Sequence, residues 1–394
     1  MERIDFLTEA RKFEKDMINL RRSFHKNPEL GFEEVVTSRV IEEVLQSLGI
    51  ETKRVAGTGI IGLLKGTKVG KTVALRADMD ALPLSDEKKV EYASKVPGKM
   101  HACGHDAHMA GLLGAAMILS RFRNILPGNI KFIFQPAEET EGGALSMIKA
   151  GVMENPKVDA IFGLHCDVSI DTGKIGVKYG KANAASDIFE VEIYGKSCHG
   201  AAPHEGIDAI AIGAQVVTAL QSIVSRNVDP LDSAVVTVGV FQGGYKSNII
   251  ADRVRLSGII RSLNPKTRTM LCQRVADIIR GVTSAMGANA RIELIPGYPC
   301  LINDNNMVDF VKRQGESVLG RENVVVVKEP NMGVEDFAYY LQHAPGAFYR
   351  LGVRNEKKGI VHPPHSGLFD IDESSLTVAA AMHAAIAFNF LWTQ

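Results

Sequence analysis

The chain lacks an excess of charge of either sign. Its 394 residues include 45 lysines and arginines and 45 aspartates and glutamates. A chain without net charge has no electrostatic attraction to nucleic acid or to an anionic membrane, so we expect neither as a partner. No apolar run approaches the roughly 20 residues needed to span a bilayer. The first residues are mixed in charge and lack the apolar segment of a signal peptide.

Cysteine is scarce and irregularly spaced. The chain has five cysteines, an odd number that does not suggest a disulfide framework. A reducing, cytoplasmic location fits this usage best. The length exceeds that of one typical domain, so we expect two domains.

Strand and helix patterns alternate in the first and last parts of the chain. This alternation predicts an α/β fold with a mixed, largely parallel sheet and flanking helices. The predicted strands are 72–75, 130–134, 160–164, 324–327 and 347–351, and the predicted helices are 13–24, 32–48, 108–119, 142–150, 307–319, 334–343 and 374–391.

The order of elements changes in the middle of the chain. Between residues 186 and 295 the patterns follow the order βαββαβ, which is typical of a ferredoxin-like α+β unit. We therefore expect a smaller domain at 186–295, inserted into a larger discontinuous domain formed by 1–185 and 296–394. The predicted elements of the insert are strands 188–194, 234–240, 253–260 and 290–295 and helices 207–228 and 267–286.

One short stretch is dense in metal-ligand side chains. Residues 100–108 read MHACGHDAH. Thiolate, imidazole and carboxylate groups together are ligands of first-row transition metals. A small buried thiol beside a satisfied histidine is the alternative interpretation of Cys103 and His105. The neighbouring His101 and His108 favour a metal site, in which we expect those two histidines to have supporting roles.

Further candidate residues directly follow three of the predicted strands. Asp78 and Asp80 follow the first strand, Glu138 and Glu139 the second, and His165 the third. In open α/β sheets, functional groups collect beyond the carboxyl ends of the strands. The cysteine–histidine stretch precedes a helix and can reach the same edge. The sequence therefore predicts one site at this edge of the sheet.

The two adjacent glutamates, Glu138 and Glu139, are suited to different roles. Adjacent residues in an extended chain point in different directions. One carboxylate can therefore bind a metal while the other acts as general base. An acidic surface turn is the alternative, since Glu141 is close by, but the apolar strand before Glu138 and Glu139 favours function.

Other polar residues are ambiguous from the sequence alone. His365 lies in a Pro-Pro loop, and nothing in the sequence prefers it to His362. His199 and Asn248 could be ordinary turn residues. Arg261 could belong to a surface ion pair.

Four motifs together resemble the co-catalytic metallopeptidase family. They are RADMDALP at 76–83, MHACGHDAH at 100–108, QPAEE at 135–139 and GVEDF at 333–337. The family includes glutamate carboxypeptidase, aminoacylases, hippurate hydrolases, N-acyl-amino-acid amidohydrolases and indoleacetyl-amino-acid hydrolases. The resemblance covers essentially the whole chain, and the Cys-Gly-His form of the second motif is most similar to the amidohydrolase branch.

The resemblance implies a dinuclear metal site. Cys103 matches the bridging ligand, and the terminal ligands match His105, Glu139, His165 and His365. Two divalent transition-metal ions are therefore expected in each chain. Zinc suits thiolate and imidazole ligands, with manganese, cobalt and nickel as alternatives.

The resemblance also implies catalytic roles in the larger domain. Glu138 matches the general base. Asp80 matches an aspartate that orients a ligand histidine, although the residue two positions earlier, usually a histidine, is here Asp78.

The smaller domain is implied to be a lid that also forms a homodimer. His199 and Asn248 match residues that polarise the scissile carbonyl, and in the family this histidine can act in the partner's site. Arg261 matches a residue that binds the substrate carboxylate, and Gly333 is assigned to substrate binding.

The expected function is hydrolysis of the amide bond of an N-acyl amino acid. A metallo-carboxypeptidase or dipeptidase acting on short peptides is the nearest alternative. A cysteine-nucleophile amidase built on Cys103 and a binding relative without activity stay open. A mononuclear zinc deaminase is disfavoured because the sequence has no Pro-Cys-x-x-Cys segment.

Overall fold

The fold is described from a computed structural model that covers residues 4–140 and 142–393. The α-helices are α1 (Phe6–Arg11), α2 (Glu14–Lys26), α3 (Val35–Ser47), α4 (His105–Arg121), α5 (Gly143–Lys149), α6 (Ala209–Asn227), α7 (Pro265–Ala285), α8 (Asn305–Leu319) and α9 (Ser375–Leu391). The strands are β1 (Glu51–Val55), β2 (Gly59–Leu64), β3 (Thr72–Asp78), β4 (Asn129–Gln135), β5 (Ala160–Asp171), β6 (Ile175–Val177), β7 (Gly180–Asn183), β8 (Ala185–Tyr194), β9 (Ala234–Gly243), β10 (Arg253–Ser262), β11 (Asn289–Pro296), β12 (Leu301–Asn303), β13 (Val324–Val326) and β14 (Gly346–Arg354). Short 3-10 helices occupy Arg123–Ile125, Pro203–Glu205, Arg321–Asn323, Asp336–Gln342 and Glu356–Lys358.

The chain forms two compact units. The smaller unit contains Lys181–Ile302 and Glu329–Ala338, and the larger unit contains the rest. The smaller unit is thus wider than the inserted domain expected at 186–295. It also includes a segment that the sequence placed in the larger domain.

The larger unit is built on a mixed, largely parallel sheet. Its strand order is β1-β2-β4-β3-β5-β14-β6-β13. The pairs β3–β4, β3–β5, β5–β14 and β6–β13 are parallel, and β1–β2, β2–β4 and β6–β14 are antiparallel. Every residue of the central strand β3 is buried, as expected where helices cover both faces of a sheet. The predicted α/β fold is confirmed.

Two apolar helices fill the core of the larger unit. Helix α9 buries nearly every residue and packs against α4, which is almost as fully buried. A helix that is apolar on all sides belongs in a core, because no face suits water. Helix α4 begins at His105, so the core packing also fixes the position of a predicted metal ligand.

The smaller unit has the predicted ferredoxin-like order. Its elements follow β8-α6-β9-β10-α7-β11, and its antiparallel sheet has the order β11-β8-β10-β9. Helix α6 is long and apolar enough, by length and composition alone, to cross a membrane. It buries Ile212, Val216 and Leu220 in a cluster with residues of the sheet.

The structure corrects several sequence-based elements. The strand predicted at 160–164 continues to Asp171, so His165 lies within β5 and not after it. The helix predicted at 334–343 is a 3-10 helix over Asp336–Gln342. Strand β1 was not predicted because its residues are mostly polar and exposed, as suits the edge of a sheet.

Candidate metal centre

A glycine turn brings Cys103 and His105 to the same place. Gly104 has a φ of 89°, in the left-handed region, and directly precedes α4. A Cβ atom on Gly104 would lie 3.0 Å from the Cβ and Sγ atoms of Cys166. The left-handed backbone conformation therefore favours glycine between the two candidate ligands, and a side chain there would also crowd Cys166.

The five predicted metal ligands come together in the larger unit. The candidate ligand atoms of Cys103, His105 and His165 lie within 4.8 Å of one another. Those of Cys103, Glu139 and His365 also lie within 4.8 Å of one another. Cys103 is common to these two groups, and His105 belongs to two further groups, one with Asp78 and His108 and one with Glu138 and Glu139.

The imidazoles of His105 and His165 are oriented for metal binding. The Nδ1 atom of His105 donates to the carbonyl oxygen of Asp80 at 2.8 Å, and that of His165 donates to the carbonyl oxygen of Cys166 at 2.8 Å. These bonds leave both Nε2 atoms for another partner. The Nε2 atom of His105 is buried without a hydrogen-bond partner among the described residues, and that of His165 lies 3.3 Å from the Cys103 Sγ atom.

The second group joins Glu139 to His365. The His365 Nε2 atom lies 3.1 Å from Glu139 Oε1, and the backbone N–H of His365 donates to the carbonyl of Ala102 at 2.8 Å. His365 has a φ of 62°, which is uncommon for a residue other than glycine. Backbone strain of this kind often marks a functional position, which distinguishes His365 from His362.

The electrostatics of the site call for a cation. Burial, and then the charges of Glu139 and Glu138, raise the pKa of the Cys103 thiol well above its usual range. Burial lowers the pKa of His105, but the Asp78 carboxylate and the hydrogen bond to Asp80 more than offset this and raise it to about 10. A divalent cation reverses both effects, because it favours thiolate and neutral imidazole. The donor set therefore fits two divalent ions.

The structure separates the roles of Asp78 and Asp80. The Asp78 carboxylate contacts His108 Nδ1 at 2.6 Å and Arg76 Nη1 at 2.7 Å. The Asp80 carboxylate accepts the backbone N–H groups of Glu138 at 3.0 Å and Glu139 at 2.9 Å. Asp80 thus contacts His105 Nδ1 through its backbone carbonyl at 2.8 Å and through its carboxylate at 3.3 Å, and the same carboxylate holds the glutamate pair.

The two other histidines of the second motif are buried behind the site. His108 Nε2 accepts the backbone N–H of Cys166 at 2.9 Å. His101 makes no hydrogen bond to the described residues, and burial lowers its pKa to about 3. Both side chains are buried, and His108 also contacts the Asp78 carboxylate; their supporting roles stay a prediction.

Four of the predicted residues lie in the smaller unit. The segments of His199 and Asn248 are joined, since Gly200 N–H donates to the Asn248 carbonyl at 2.8 Å. Arg261 lies near the end of β10, and its Nη1 atom is buried without a partner among the described residues. Gly333 N–H donates to Asn331 Oδ1 at 2.7 Å.

The sequence interpretation missed Glu34. This residue is fully buried, and its carboxyl group accepts the backbone N–H of Ala137 at 3.0 Å, directly before the glutamate pair. A single sequence offers no signal that separates Glu34 from the adjacent Glu33.

Comparison with known proteins establishes the family. Residues 74–389 match the model described as Peptidase family M20/M25/M40. The chain is 41% identical over 387 residues to thermostable carboxypeptidase 2 of Saccharolobus solfataricus, covering 97% of each protein. It is 40% identical over 368 residues to N-acetyl-L-cysteine deacetylase of Bacillus subtilis, covering 93% of this chain and 86% of that protein.

A solved structure agrees over the full length. The Bacillus subtilis YXEP protein, described as a dinuclear metal binding peptidase from the M20 family, matches with a TM-score of 0.85 and 35% identity. The match covers 98% of this chain and 100% of that one. The resemblance carried by the four sequence motifs is confirmed, and the chain belongs to Peptidase family M20/M25/M40.

Proposed function

We propose that this protein is a metal-dependent hydrolase that cleaves the amide bond of N-acyl amino acids. The observation that carries the proposal is the pair of ligand groups sharing Cys103, with the carboxylate of Glu138 beside them. Hydrolysis of amides or peptides is the activity of the family, and a deacetylase of an N-acetyl amino acid is among its similar members. The acyl group is expected to be acetyl, benzoyl or a similar group.

The proposed site holds two divalent transition-metal ions in each chain. Their ligands would be Cys103, His105, Glu139, His165 and His365. Bound ions polarise the substrate carbonyl and lower the pKa of the attacking water. Thiolate and imidazole suit zinc, and manganese, cobalt or nickel can occupy the same ligand set.

Glu138 is proposed as the general base. Its backbone is held by Asp80, and its carboxylate lies within 4.8 Å of the ligand atoms of His105 and Glu139. It would take the proton of the attacking water and deliver it to the leaving nitrogen. Glu139 would be a ligand, because its carboxylate contacts His365 at 3.1 Å and lies 3.9 Å from His105 Nε2.

Residues of the smaller unit are proposed to recognise the substrate. His199 and Asn248 would donate to the carbonyl oxygen as negative charge develops on it. Arg261 would bind the free carboxylate of the amino acid, assisted by Gly333. The buried Nη1 atom of Arg261 supports this role, since a charge-assisted bond to a carboxylate would satisfy it.

We also propose a homodimer formed through the smaller unit. Strands β9 and β11 are the edges of its sheet, and unpaired edges favour association with another chain. His199 would then act in the site of the partner. All five cysteines are unpaired, which supports a reducing compartment such as the cytoplasm.

A carboxypeptidase or dipeptidase is the second candidate. The 41% identity to a thermostable carboxypeptidase favours it, and the same ligands and base would serve. A cysteine nucleophile is less suitable, because burial raises the pKa of Cys103 and reactive thiols need a lowered one.

The decisive experiment compares substrates and two glutamate variants. The metal-reconstituted protein is assayed with N-acetyl amino acids, N-benzoyl amino acids and dipeptides. Glu138→Gln should keep its metals and lose turnover by roughly 10²–10⁴-fold, the usual worth of a general base. Glu139→Gln should lose metal, and Glu154→Gln, an exposed glutamate elsewhere, serves as the matched control.

Each outcome has a clear meaning. Cleavage of dipeptides but not of N-acyl amino acids would replace the proposal with the second candidate. Activity that resists chelators but not thiol alkylation would favour a cysteine nucleophile. If the metal-loaded protein hydrolyses none of these substrates, it would be a family member that binds a ligand without catalysing a reaction.

A further inference from the structure

The turn that contains the glutamate pair presents three successive backbone N–H groups. Strand β4 ends at Gln135, and Ala137 then takes a φ of 54°. A left-handed residue in such a turn makes neighbouring N–H groups converge on one side, where they bind an anion. These groups are the N–H groups of Ala137, Glu138 and Glu139.

Two carboxyl groups accept those three donors. Asp80 accepts the N–H groups of Glu138 and Glu139 at 3.0 and 2.9 Å. Glu34 Oε1 accepts the N–H of Ala137 at 3.0 Å, and its other oxygen accepts the Thr58 hydroxyl at 2.6 Å. The segment is therefore held from two elements that are far apart in sequence.

The Glu34 carboxyl group is not needed by its own helix. Glu34 precedes α3, yet its side chain makes no capping hydrogen bond. Glu29 performs that task and accepts the N–H groups of Val36 and Thr37 at 3.1 and 2.8 Å. A fully buried carboxyl is costly to keep, and burial, followed by the charge of Asp80, raises its pKa to about 7. Local helix structure therefore does not account for it.

The segment around Glu34 is also packed tightly against the same turn. A Cβ atom on Gly31 would lie 2.5 Å from the Thr140 Oγ1 atom and 2.9 Å from the Ala137 Cβ atom. Ala81 N–H donates to the Glu29 carbonyl at 2.8 Å, which ties the same segment to the chain just after Asp80. Residues 29–34 thus contact both stretches that supply carboxylates to the site.

We propose that Glu34 is a positioning residue for the reaction. Its carboxyl group fixes the peptide at Ala137 and so determines where the side chains of Glu138 and Glu139 point. This inference rests on the proposed roles of that pair as base and ligand. Without the bond, Ala137 N–H would be buried and unpaired, and the turn would relax.

The test compares Glu34→Ala with Glu34→Gln. Glutamine keeps an oxygen for Ala137 N–H and presents its amide to the Thr58 hydroxyl, which can accept. Glu33→Ala is the matched control, because Glu33 is exposed and pairs with Lys99 at the surface. Three measurements are made on the reconstituted enzyme: amide exchange at residue 137, metal affinity by chelator competition, and kcat and KM for an N-acyl amino acid.

Glu34→Ala should speed exchange at Ala137, weaken metal affinity and lower kcat about ten- to a hundred-fold with little change in KM, as displacement of a catalytic group by about 1 Å does. Glu34→Gln and Glu33→Ala should behave like the parent. Parent-like exchange and kcat in Glu34→Ala would overturn the inference, and so would equal impairment of Glu34→Gln, since charge would then matter and not the hydrogen bond.

Misfolding of Glu34→Ala and failure of the proposed function can each be distinguished from failure of this inference. If Glu34→Ala does not fold, Glu34→Asp decides, because it keeps the carboxyl but shortens its reach, and retained exchange protection and kcat would overturn the inference. If the parent enzyme cleaves no N-acyl amino acid, the proposed function fails, while exchange and metal affinity still test Glu34.

Discussion

The buried guanidinium of Arg21 offers a test of the larger unit that is independent of catalysis. Its side chain is fully buried and contacts three carboxylates, with Asp106 at 2.8 Å, Asp370 at 2.8 Å and Glu373 at 3.4 Å. It also lies over the ring of Tyr92, 4.6 Å from the centroid. We expect Arg21→Met, which keeps an unbranched apolar stem and removes the charged guanidinium, to destabilise the larger unit strongly.

The expected magnitude follows from what the change leaves behind. Asp106 is completely buried and would retain His25 Nδ1, at 2.7 Å, as its remaining side-chain partner. Leaving one charge of a buried pair uncompensated costs about 3–5 kcal/mol. Arg21→Met/Asp106→Asn should recover part of this loss, because the uncompensated charge is gone.

A neighbouring arginine supplies the control. Arg22 contacts Glu373 at 2.7 Å, but its side chain is 37% exposed. Exposed pairs are screened by water and contribute at most about 1 kcal/mol. Arg22→Met should therefore cost far less than Arg21→Met.

The assay is urea unfolding followed by tryptophan fluorescence. The chain has one tryptophan, Trp392, which follows α9 and lies 6.4 Å from the Phe388 ring. A local probe is needed because a chain of two units need not unfold in one step. A loss below about 1 kcal/mol for Arg21→Met, within the range of exposed pairs, would refute the reasoning.

The loss of stability in Arg21→Met should depend on pH, because it acts through the Asp106 carboxylate. In the parent, burial raises the pKa of Asp106, but Arg21 and His25 more than offset this and hold it well below its usual range. That stabilisation is present above the unfolded pKa of Asp106 and is lost as the pH falls through the folded pKa. In Arg21→Met the Asp106 carboxylate contributes less to stability. The difference in free energy of unfolding between the variant and the parent should therefore be largest near neutral pH and smaller in acid.

Four further predictions concern the metal site, substrate recognition, a buried histidine and the assembly of the chains. Cys103→Ala should weaken the binding of both metal ions, and metal analysis with unchanged stoichiometry and affinity would remove Cys103 from the site. Amidation of the substrate carboxylate should sharply reduce kcat/KM, and Arg261→Ala should shrink the difference between acid and amide; equal turnover of both substrates by the parent would contradict this role. Burial, and then the charge of His108, lower the pKa of His383 from 6.5 to about 3, so the folded state binds fewer protons between these values. The stability of the parent relative to His383→Met should therefore fall as the pH drops from 6.5 toward 3, by up to about 1.4 kcal/mol per pH unit, and a parallel pH profile for both proteins would argue against it. Co-refolding inactive Glu138→Gln with inactive His199→Ala should restore about a quarter of the parental activity in a two-fold dimer, and heterodimers without activity would show that His199 does not act across the interface.

Most elements and the ligand cluster were predictable because local patterns carry them. The apolar strand predicted at 72–75 and the glycine between Cys103 and His105 are visible in the sequence, although the strand continues to Asp78, which therefore lies within β3 and not after it. Helix α9 was predicted closely because its apolar composition has one suitable environment, the core. The 3-10 helix at Asp336–Gln342 was not, since local composition does not determine which helical hydrogen bonds form there.

The sequence by itself determined the chemical types at the site and their placement along the chain, because ligand chemistry depends on residue identity. Only the tertiary structure decided which groups meet. It joined His365 to Glu139 across more than half of the chain, and it brought Glu34 to the turn at Ala137. It also assigned the side chain of Asp80 to two backbone N–H groups and that of Asp78 to His108 and Arg76. Hydrogen-bond partners distant in sequence leave no periodic pattern, and their identity depends on packing that brings the strand ends together.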